Sequence, residues 1–341
     1  MEHIKCNLCG SDNTFVKIRI KEYFHGNEMF DVVQCKNCGL IYTNPRPSSE
    51  ELNNYYPQNY SPFQFSYPAP FFADSKTGSA KLKNIIKKKF LRIHYNYFSD
   101  NKSMPLLIKS FLKILTAPIK HKTGWIFPPY KKNGKILDLG CSTGFYLTRL
   151  KELGWETFGV EINPDAAQWG KEKLKLNIFN GTLESAKFPS DYFDAITLWH
   201  TLEHVPYPMN TLKEIYRILK KDGIIIVGVP NVDTIERKIF GKWWWAWEVP
   251  RHFYHYSPET LSNFLKKNNF NVMKIEFPAN VYNIILSLQI LFLNCFPKKE
   301  KQIKKFLEPD KHPLLCDILS PLGYLLSFFK QTGRMIIYAK K

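Results

Sequence analysis

The sequence predicts an α/β fold: a twisted, mostly parallel sheet wound by helices on both faces, with a small metal-bound module ahead of it. Three observations predict this. Between residues 132 and 231, short apolar runs alternate with amphipathic ones in the order strand, helix, strand, helix, as parallel strands joined by right-handed crossovers require. The first run, Lys135-Ile-Leu-Asp-Leu-Gly-Cys-Ser-Thr-Gly144, passes from an apolar strand through a glycine-bearing turn into a helix. Four of the seven cysteines fall in two Cys-x-x-Cys pairs near the N-terminus, a spacing typical of metal ligands.

The elements follow in order. Cys6-x-x-Cys9 and Cys35-x-x-Cys38 are separated by 25 residues, and each pair is followed by a glycine, Gly10 and Gly39. Two such knuckles bring four thiolates around one tetrahedral zinc, and the glycines relieve the tight turns. A closed set of four sulfurs has no open coordination position. The zinc expected at Cys6, Cys9, Cys35 and Cys38 is therefore structural or substrate-docking, not hydrolytic. This zinc ribbon is assigned residues 1–45. Residues 46–131 form a Pro- and aromatic-rich linker, extended from Tyr60 to Pro70, and then basic helices at Lys81–Phe98 and Leu106–Leu115. Between Lys76 and Lys132 stand 14 Lys or Arg against one acid, Asp100, in a chain of net charge +18. Such a patch suits nucleic acid, an anionic membrane surface or a sugar phosphate; a solvated lysine face is the plain alternative.

Residues 132–341 make the main domain. Its strands are expected at Lys135–Leu139, Thr157–Glu161, Ala195–Trp199 and Gly223–Val229, with helices at Gly144–Leu153, Asn163–Lys175 and Met209–Leu219. Ser257 reads as the N-cap of a further helix with Pro258 at its first position. Phe270–Phe277 and Arg334–Ala339 read as the last two strands. Residues 281–330 are a helical insertion between those strands, where Val281, Ile284, Ile285, Leu288 and Phe292 recur at helical spacing. Packing onto the sheet or a homodimer interface explains such a stripe; the functional alternative is a face resting on an anionic membrane. The opening Met-Glu-His-Ile-Lys-Cys has no apolar signal region. With the cysteine pairs it suggests a reducing, cytoplasmic setting, peripheral to the inner face of the membrane if the insertion docks there.

The turn after the first strand carries the strongest chemistry. Gly140 permits the tight turn and Gly144 a close approach of helix, strand and ligand. Asp138 beside them suits a ligand ammonium or hydroxyl better than a phosphate. Glu161 ends the second strand 21 residues beyond Gly140, where its two oxygens can accept from both hydroxyls of a ribose. Gly181-Thr-Leu-Glu184 lies where a third strand would end, placing a side chain over an adenine. After the fourth strand comes Trp199-His-Thr-Leu-Glu-His204. Its His-x-x-Glu-His string matches an inverted zinc-protease motif, but a strand end in such a sheet is not the protease helix. Glu203 and His204 are instead expected to open the next helix. The segment Trp243-Trp-Trp-Ala-Trp-Glu-Val-Pro-Arg-His252 is read as an aromatic lid over a pocket, in preference to core or a membrane anchor.

Over Lys135–Asn231 these residues resemble the class I S-adenosylmethionine (SAM)-dependent methyltransferases. Asp138-Leu-Gly-Cys-Ser-Thr-Gly144 corresponds to the first motif, with Ser142 in place of a glycine. Glu161 corresponds to the ribose acid, Asp191-Tyr-Phe-Asp-Ala-Ile to a strand entry, and Lys220–Asn231 to the fifth strand. The resemblance implies a Rossmann-like seven-stranded sheet whose last strand is antiparallel. It implies a cofactor site of Asp138, Gly140, Cys141, Ser142, Gly144, Glu161, Ile162, Leu183, Glu184 and His200, the last at the methionine end.

The cysteine pairs together with the His-bearing aromatic segment are similar to the zinc-containing methyltransferases of sugar and cell-envelope biosynthesis. In the NDP-sugar C-methyltransferases a histidine here is the general base, and His252 is its match. His204 is the second candidate facing the acceptor, with capping or packing as its plain alternative. The expected function is methyl transfer from SAM to a saccharide, nucleotide-sugar or lipid-linked glycan intermediate. The alternative is an RNA methyltransferase that holds its substrate with the zinc ribbon and the Lys-rich region; a non-catalytic SAM-binding module is a third class.

Overall fold

Two sheets organise the chain. The computed structural model describes residues 1–23, 26, 28–48, 50–56, 65–72, 77–98, 104–123, 125–309 and 312–341. Lys76, Asp100, Lys311 and the start of the Tyr60–Pro70 segment lie outside the described residues. The chain begins with strands β1 (Thr14–Lys21), β2 (Met29–Cys35) and β3 (Ile41–Thr43), followed by helices α1 (Gly78–Tyr95) and α2 (Leu106–Thr123). Then come β4 (Lys135–Leu139), α3 (Phe145–Glu152), β5 (Glu156–Glu161), α4 (Pro164–Leu174), β6 (Asn177–Asn180), β7 (Phe193–Trp199), α5 (Pro208–Ile218) and β8 (Leu219–Pro230). The last part holds α6 (Ile235–Phe240), β9 (Tyr254–His255), α7 (Pro258–Lys267), β10 (Asn271–Glu276), α8 (Tyr282–Cys295), α9 (Glu300–Phe306), α10 (Pro313–Phe328) and β11 (Arg334–Lys340).

The larger sheet has seven strands in the order β10-β11-β8-β7-β4-β5-β6. β4 is parallel to β5 and β7, β5 is parallel to β6, and β10 and β11 are antiparallel. The α/β, Rossmann-like architecture expected from the sequence is therefore present. Its inner strands are almost wholly buried: every residue of β7 except Trp199, and the last six of β8, as strands covered on both faces must be. The crossovers are capped by local chemistry. The Asn163 side chain accepts the Ala166 N–H ahead of α4, and Ser257 and Thr260 form a reciprocal capping box at α7, with Pro164 and Pro258 in the first turns.

The smaller sheet is antiparallel, in the order β1-β2-β3-β9. Its fourth strand comes from more than 200 residues downstream, with Tyr42 paired to Tyr254 and Ile41 to His255. The chain divides into two compact units. One comprises Met1–Tyr60, Trp199–Tyr216 and Val227–Lys340; the other comprises Ser61–Leu198, Arg217–Ile226 and Lys341. In the first, Ile20, Phe30, Val32 and Ile41 share a core with Val232, Phe240, Trp244, Trp247 and Val249. In the second, Phe71, Phe90, Tyr97 and Phe127 pack with Ile136, Leu147, Leu150 and Ala195, and the Trp155 indole N–H donates to the buried Tyr97 hydroxyl at 2.7 Å.

The aromatic segment corrects one expectation. Trp244 and Trp247 are about 1% exposed and meet edge to face at 5.3 Å, and Trp243 and Trp245 are half-buried. Trp244 and Trp247, with Trp245 against them, are core packed with residues of β1 and β2, not a lid, because a tryptophan's large apolar surface is worth most when removed from water. Among the described residues no helix is long and apolar enough to cross a membrane.

Candidate functional site

β4 ends in the turn Gly140–Gly144, whose backbone is left-handed at Gly140 (φ +74°), Ser142 (φ +52°) and Gly144 (φ +86°). The left-handed backbone at Gly144 favours glycine, and a Cβ there would also push against the end of the Leu176 side chain. Ser142 takes its unfavourable conformation because its N–H is held by Glu161 Oε2 at 2.7 Å. Glu161 Oε1 accepts the Asn163 N–H at 2.8 Å. Each carboxylate oxygen thus keeps a further lone pair for a ligand hydroxyl. Burial raises the Glu161 pKa, and the backbone donors partly offset this. Asp138 is buried beneath the turn and accepts from the Thr197 hydroxyl at 2.6 Å. Burial pushes its pKa up to about 7; Thr197 lowers it, and the nearby Glu161 charge adds to the rise. Cys141 turns its thiol into the core, against the position where a Cβ on Gly159 would fall; only its backbone serves the turn. Ile162 is 73% exposed, an apolar side chain left uncovered beside Glu161. Leu183 is buried and Glu184 exposed.

A second cluster forms in the other unit. β7 continues into His200, held left-handed at φ +51° with its N–H on the Gly228 carbonyl. Glu203 and His204 belong to a single 3-10 turn, Leu202–His204, ahead of α5. They do not open the helix, because α5 begins only at Pro208, and proline disfavours helix in the residue before it. His200 Nδ1 lies 3.1 Å from Glu203 Oε1. The rings of His204 and His252 meet edge to face at 4.6 Å. His252 Nδ1 lies 2.9 Å from the Ala246 carbonyl, and its Nε2 3.5 Å from Glu248 Oε2. His204 Nδ1 lies 3.1 Å from the Arg251 carbonyl and 3.2 Å from the Tyr56 hydroxyl. Burial lowers the His204 pKa to about 4, which leaves the ring neutral. Burial pushes Glu248 up, but His252 and Arg251 outweigh it and hold the carboxyl at about 2.

The N-terminal strands position this cluster. The Thr43 hydroxyl donates to the His252 carbonyl at 3.0 Å, and the Thr43 N–H to the Phe253 carbonyl at 2.9 Å. Arg251, 1% exposed, bonds Glu22 at 3.2 Å, Glu248 at 3.1 Å and the Tyr55 carbonyl at 2.8 Å. Arg46 is equally buried and bonds Glu2, the Pro206 carbonyl and the Tyr254 hydroxyl. In the same unit the four cysteines converge, with Cys6 and Cys38 sulfurs 3.4 Å apart and those of Cys9 and Cys35 3.5 Å apart. All four sulfurs lie within 4.8 Å of one another, close to the spacing of about 3.8 Å that tetrahedral zinc with 2.3 Å bonds imposes.

Residues 111–275 match the family model of a methyltransferase domain. That match spans just under half of the chain. Over 105 residues the chain is 30% identical to the demethylmenaquinone methyltransferase of a Geobacillus species, covering 28% of this chain and 45% of that protein. A stretch of 125 residues is 30% identical to the ubiquinone biosynthesis O-methyltransferase of Glaesserella parasuis, covering 34% and 51%. The chain spans about half the length of these curated relatives or less. A solved SAM-dependent methyltransferase from Archaeoglobus fulgidus overlays 69% of this chain and 98% of its own, with a TM-score of 0.42 and 23% identity.

The expected cofactor residues Asp138, Gly140, Cys141, Ser142, Gly144 and Glu161 come together at one turn. His252 and His204 come together at another, each turn following the carboxyl end of a parallel strand or packing beside one. Sequence reasoning missed Glu248, Arg251 and Tyr56 as partners of those histidines. The only signal for them is local: Glu248, Arg251 and His252 fall within five residues.

Proposed function

We propose that this chain transfers a methyl group from SAM to an acceptor that must lose a proton. The observation that carries the reading is the buried pair Asp138 and Glu161 around a left-handed glycine turn at the carboxyl end of β4. The chemistry such a cofactor supplies is in-line displacement at a sulfonium methyl, where positioning contributes much of the rate. Glu161 would accept from the ribose hydroxyls through its free lone pairs. Asp138, once ionised, would meet the ammonium. Ile162 and Leu183 would flank the adenine. His252, with its Nδ1 proton tied to the Ala246 carbonyl, presents a basic Nε2 and is our candidate to receive the acceptor's proton; His204 is the neighbour that keeps it oriented. The four thiols suit a structural zinc that holds β1–β3 against the His252 segment.

For the acceptor we propose a saccharide on a lipid carrier, met at an anionic membrane surface. The observation in favour lies on α1 and α2. Leu106, Leu107, Phe111, Ile114 and Leu115 are 58–86% exposed on α2, and Lys81, Lys83, Lys88 and Lys89 are exposed on α1, which packs against it. Apolar side chains beside lysines are what an interfacial helix pair needs to rest on acidic lipid. The relatives named for quinones make a quinone precursor the competing acceptor. The test is tritiated-methyl SAM incubated with protein and fractionated lipid-linked glycan, quinone precursor and RNA. Label in glycan supports the assignment. Label only in quinone precursor or RNA overturns the acceptor, and calorimetry showing no S-adenosylhomocysteine binding overturns the reaction.

A further inference from the structure

We propose that Glu203, His204 and His252 form a divalent-cation site, separate from the four-cysteine cluster. One ligand atom from each of the three lies within 4.8 Å of the others. The hydrogen bonds on the far sides of the rings fix the tautomers. A carbonyl oxygen only accepts, so His252 Nδ1, 2.9 Å from Ala246 O, carries a proton, and Nε2 is the ring atom that can offer a lone pair to an ion in place of a second proton. His204 Nδ1, 3.1 Å from Arg251 O, does the same, with the Tyr56 hydroxyl oxygen as a second acceptor. An imidazole whose rear N–H is tied to a backbone carbonyl is oriented and made basic in the way metal-ligating histidines are.

The carboxylate supplies the independent observation. Glu203 is fully buried; Oε1 is taken by His200, and Oε2 has no hydrogen-bond partner among the described residues. Arg334 acts on Glu203 through space, without an ion pair. A buried carboxylate oxygen without a hydrogen-bond partner is unfavourable, and the through-space charge of Arg334 offsets this less than a directly bound cation would. On the other side, His252 Nε2 lies 3.5 Å from Glu248 Oε2, a carboxylate that Arg251 already meets at 3.1 Å.

Two imidazoles and one carboxylate favour a first-row transition ion such as Mn²⁺, Fe²⁺, Co²⁺ or Zn²⁺ over the all-oxygen shell that Ca²⁺ takes. Three protein ligands leave positions open for water and for an acceptor hydroxyl, whose acidity the ion raises. This role, unlike the binding itself, rests on the methyl-transfer reading. In it the ion takes over from His252 the activation of the hydroxyl, His252 acts by holding the ion, and the acceptor's proton passes to an ion-bound hydroxide, which becomes water.

The test uses the full chain with its cysteine cluster already zinc-loaded. Mn²⁺ is titrated while the free ion is followed by electron paramagnetic resonance, with Co²⁺ absorption as a second probe. The wild-type chain should take up one Mn²⁺, and the bound Co²⁺ spectrum should lack the intense near-ultraviolet thiolate bands. Glu203→Gln, which keeps the side chain's shape, and the paired change His204→Ala with His252→Ala should each weaken uptake roughly 100-fold. Asp138→Asn should leave uptake unchanged, which separates this site from the SAM reading. Absence of uptake by the wild-type chain overturns the site whether or not the variants fold. So does unchanged uptake in a variant whose thermal transition matches wild type.

Discussion

Asp138 makes the proposed SAM site pH-sensitive, and the direction follows from the burial of its carboxyl. Burial holds its pKa at about 7 in the free protein, against an ordinary value of 3.8. Because the folded value is the higher one, the proton Asp138 retains favours the folded state fully below about pH 4. That contribution is lost as pH rises through about 7, on the order of 4 kcal/mol across the window. An ammonium ligand reverses the preference, since it needs the ionised carboxylate and lowers its pKa on binding. With a free-protein pKa of about 7, most Asp138 is protonated at pH 6 and most is ionised at pH 8. S-adenosylhomocysteine should therefore bind roughly tenfold more tightly at pH 8 than at pH 6. Binding at pH 6 should release close to one proton. Calorimetry in two buffers of different ionisation enthalpy measures both quantities. Asp138→Asn should bind weakly at either pH and release no proton. An equal affinity at the two pH values, or the same pH dependence in the Asn variant, would refute the placement of the ammonium beside Asp138.

Other outcomes follow from the same packing. Arg251→Met should destabilise the protein by about 3–5 kcal/mol, because Glu22 and Glu248 are left buried without their common partner; urea unfolding reads this, and an unchanged midpoint contradicts the network. Gly144→Ala forces a left-handed alanine against Leu176 Cδ1 and should cost about 1–2 kcal/mol from the backbone alone, with weaker S-adenosylhomocysteine binding by calorimetry. Removing zinc with a chelator should expose the Thr43 amide, which donates to the Phe253 carbonyl, to hydrogen exchange, since β3 pins that segment; protection that survives chelation argues against a structural metal. Replacing Leu107 and Phe111 with Glu should abolish co-sedimentation with vesicles containing acidic phospholipid and leave S-adenosylhomocysteine affinity as in wild type.

The seven-stranded sheet was largely legible because its signals are local. Period, proline, capping residues and glycine turns are written within a few residues of one another, and the order of apolar runs limits the topology of a parallel sheet. The same holds for the Asp138–Gly144 turn, for Glu161 at a strand end and for the Cys-x-x-Cys pairs. What sequence reasoning missed depends on distance. Nothing near Tyr42 indicates that it pairs with Tyr254, and nothing near Thr43 indicates that it holds the His252 carbonyl. The four tryptophans illustrate the same limit: their density in a loop is equally compatible with a cover or a core, and only the packing of β1 and β2 over them decides.

By itself, then, the order of residues determined the α/β class, the glycine turn after β4 and the knuckle spacing of the cysteines, because each depends on neighbours in the chain. Tertiary structure alone decided that the histidines after β7 and those before β9 share one buried cluster with Glu203 and Glu248, and that two arginines tie the N-terminal strands to it. Tautomers, unpaired oxygens and shifted pKa values arise only when groups far apart in the chain leave water together.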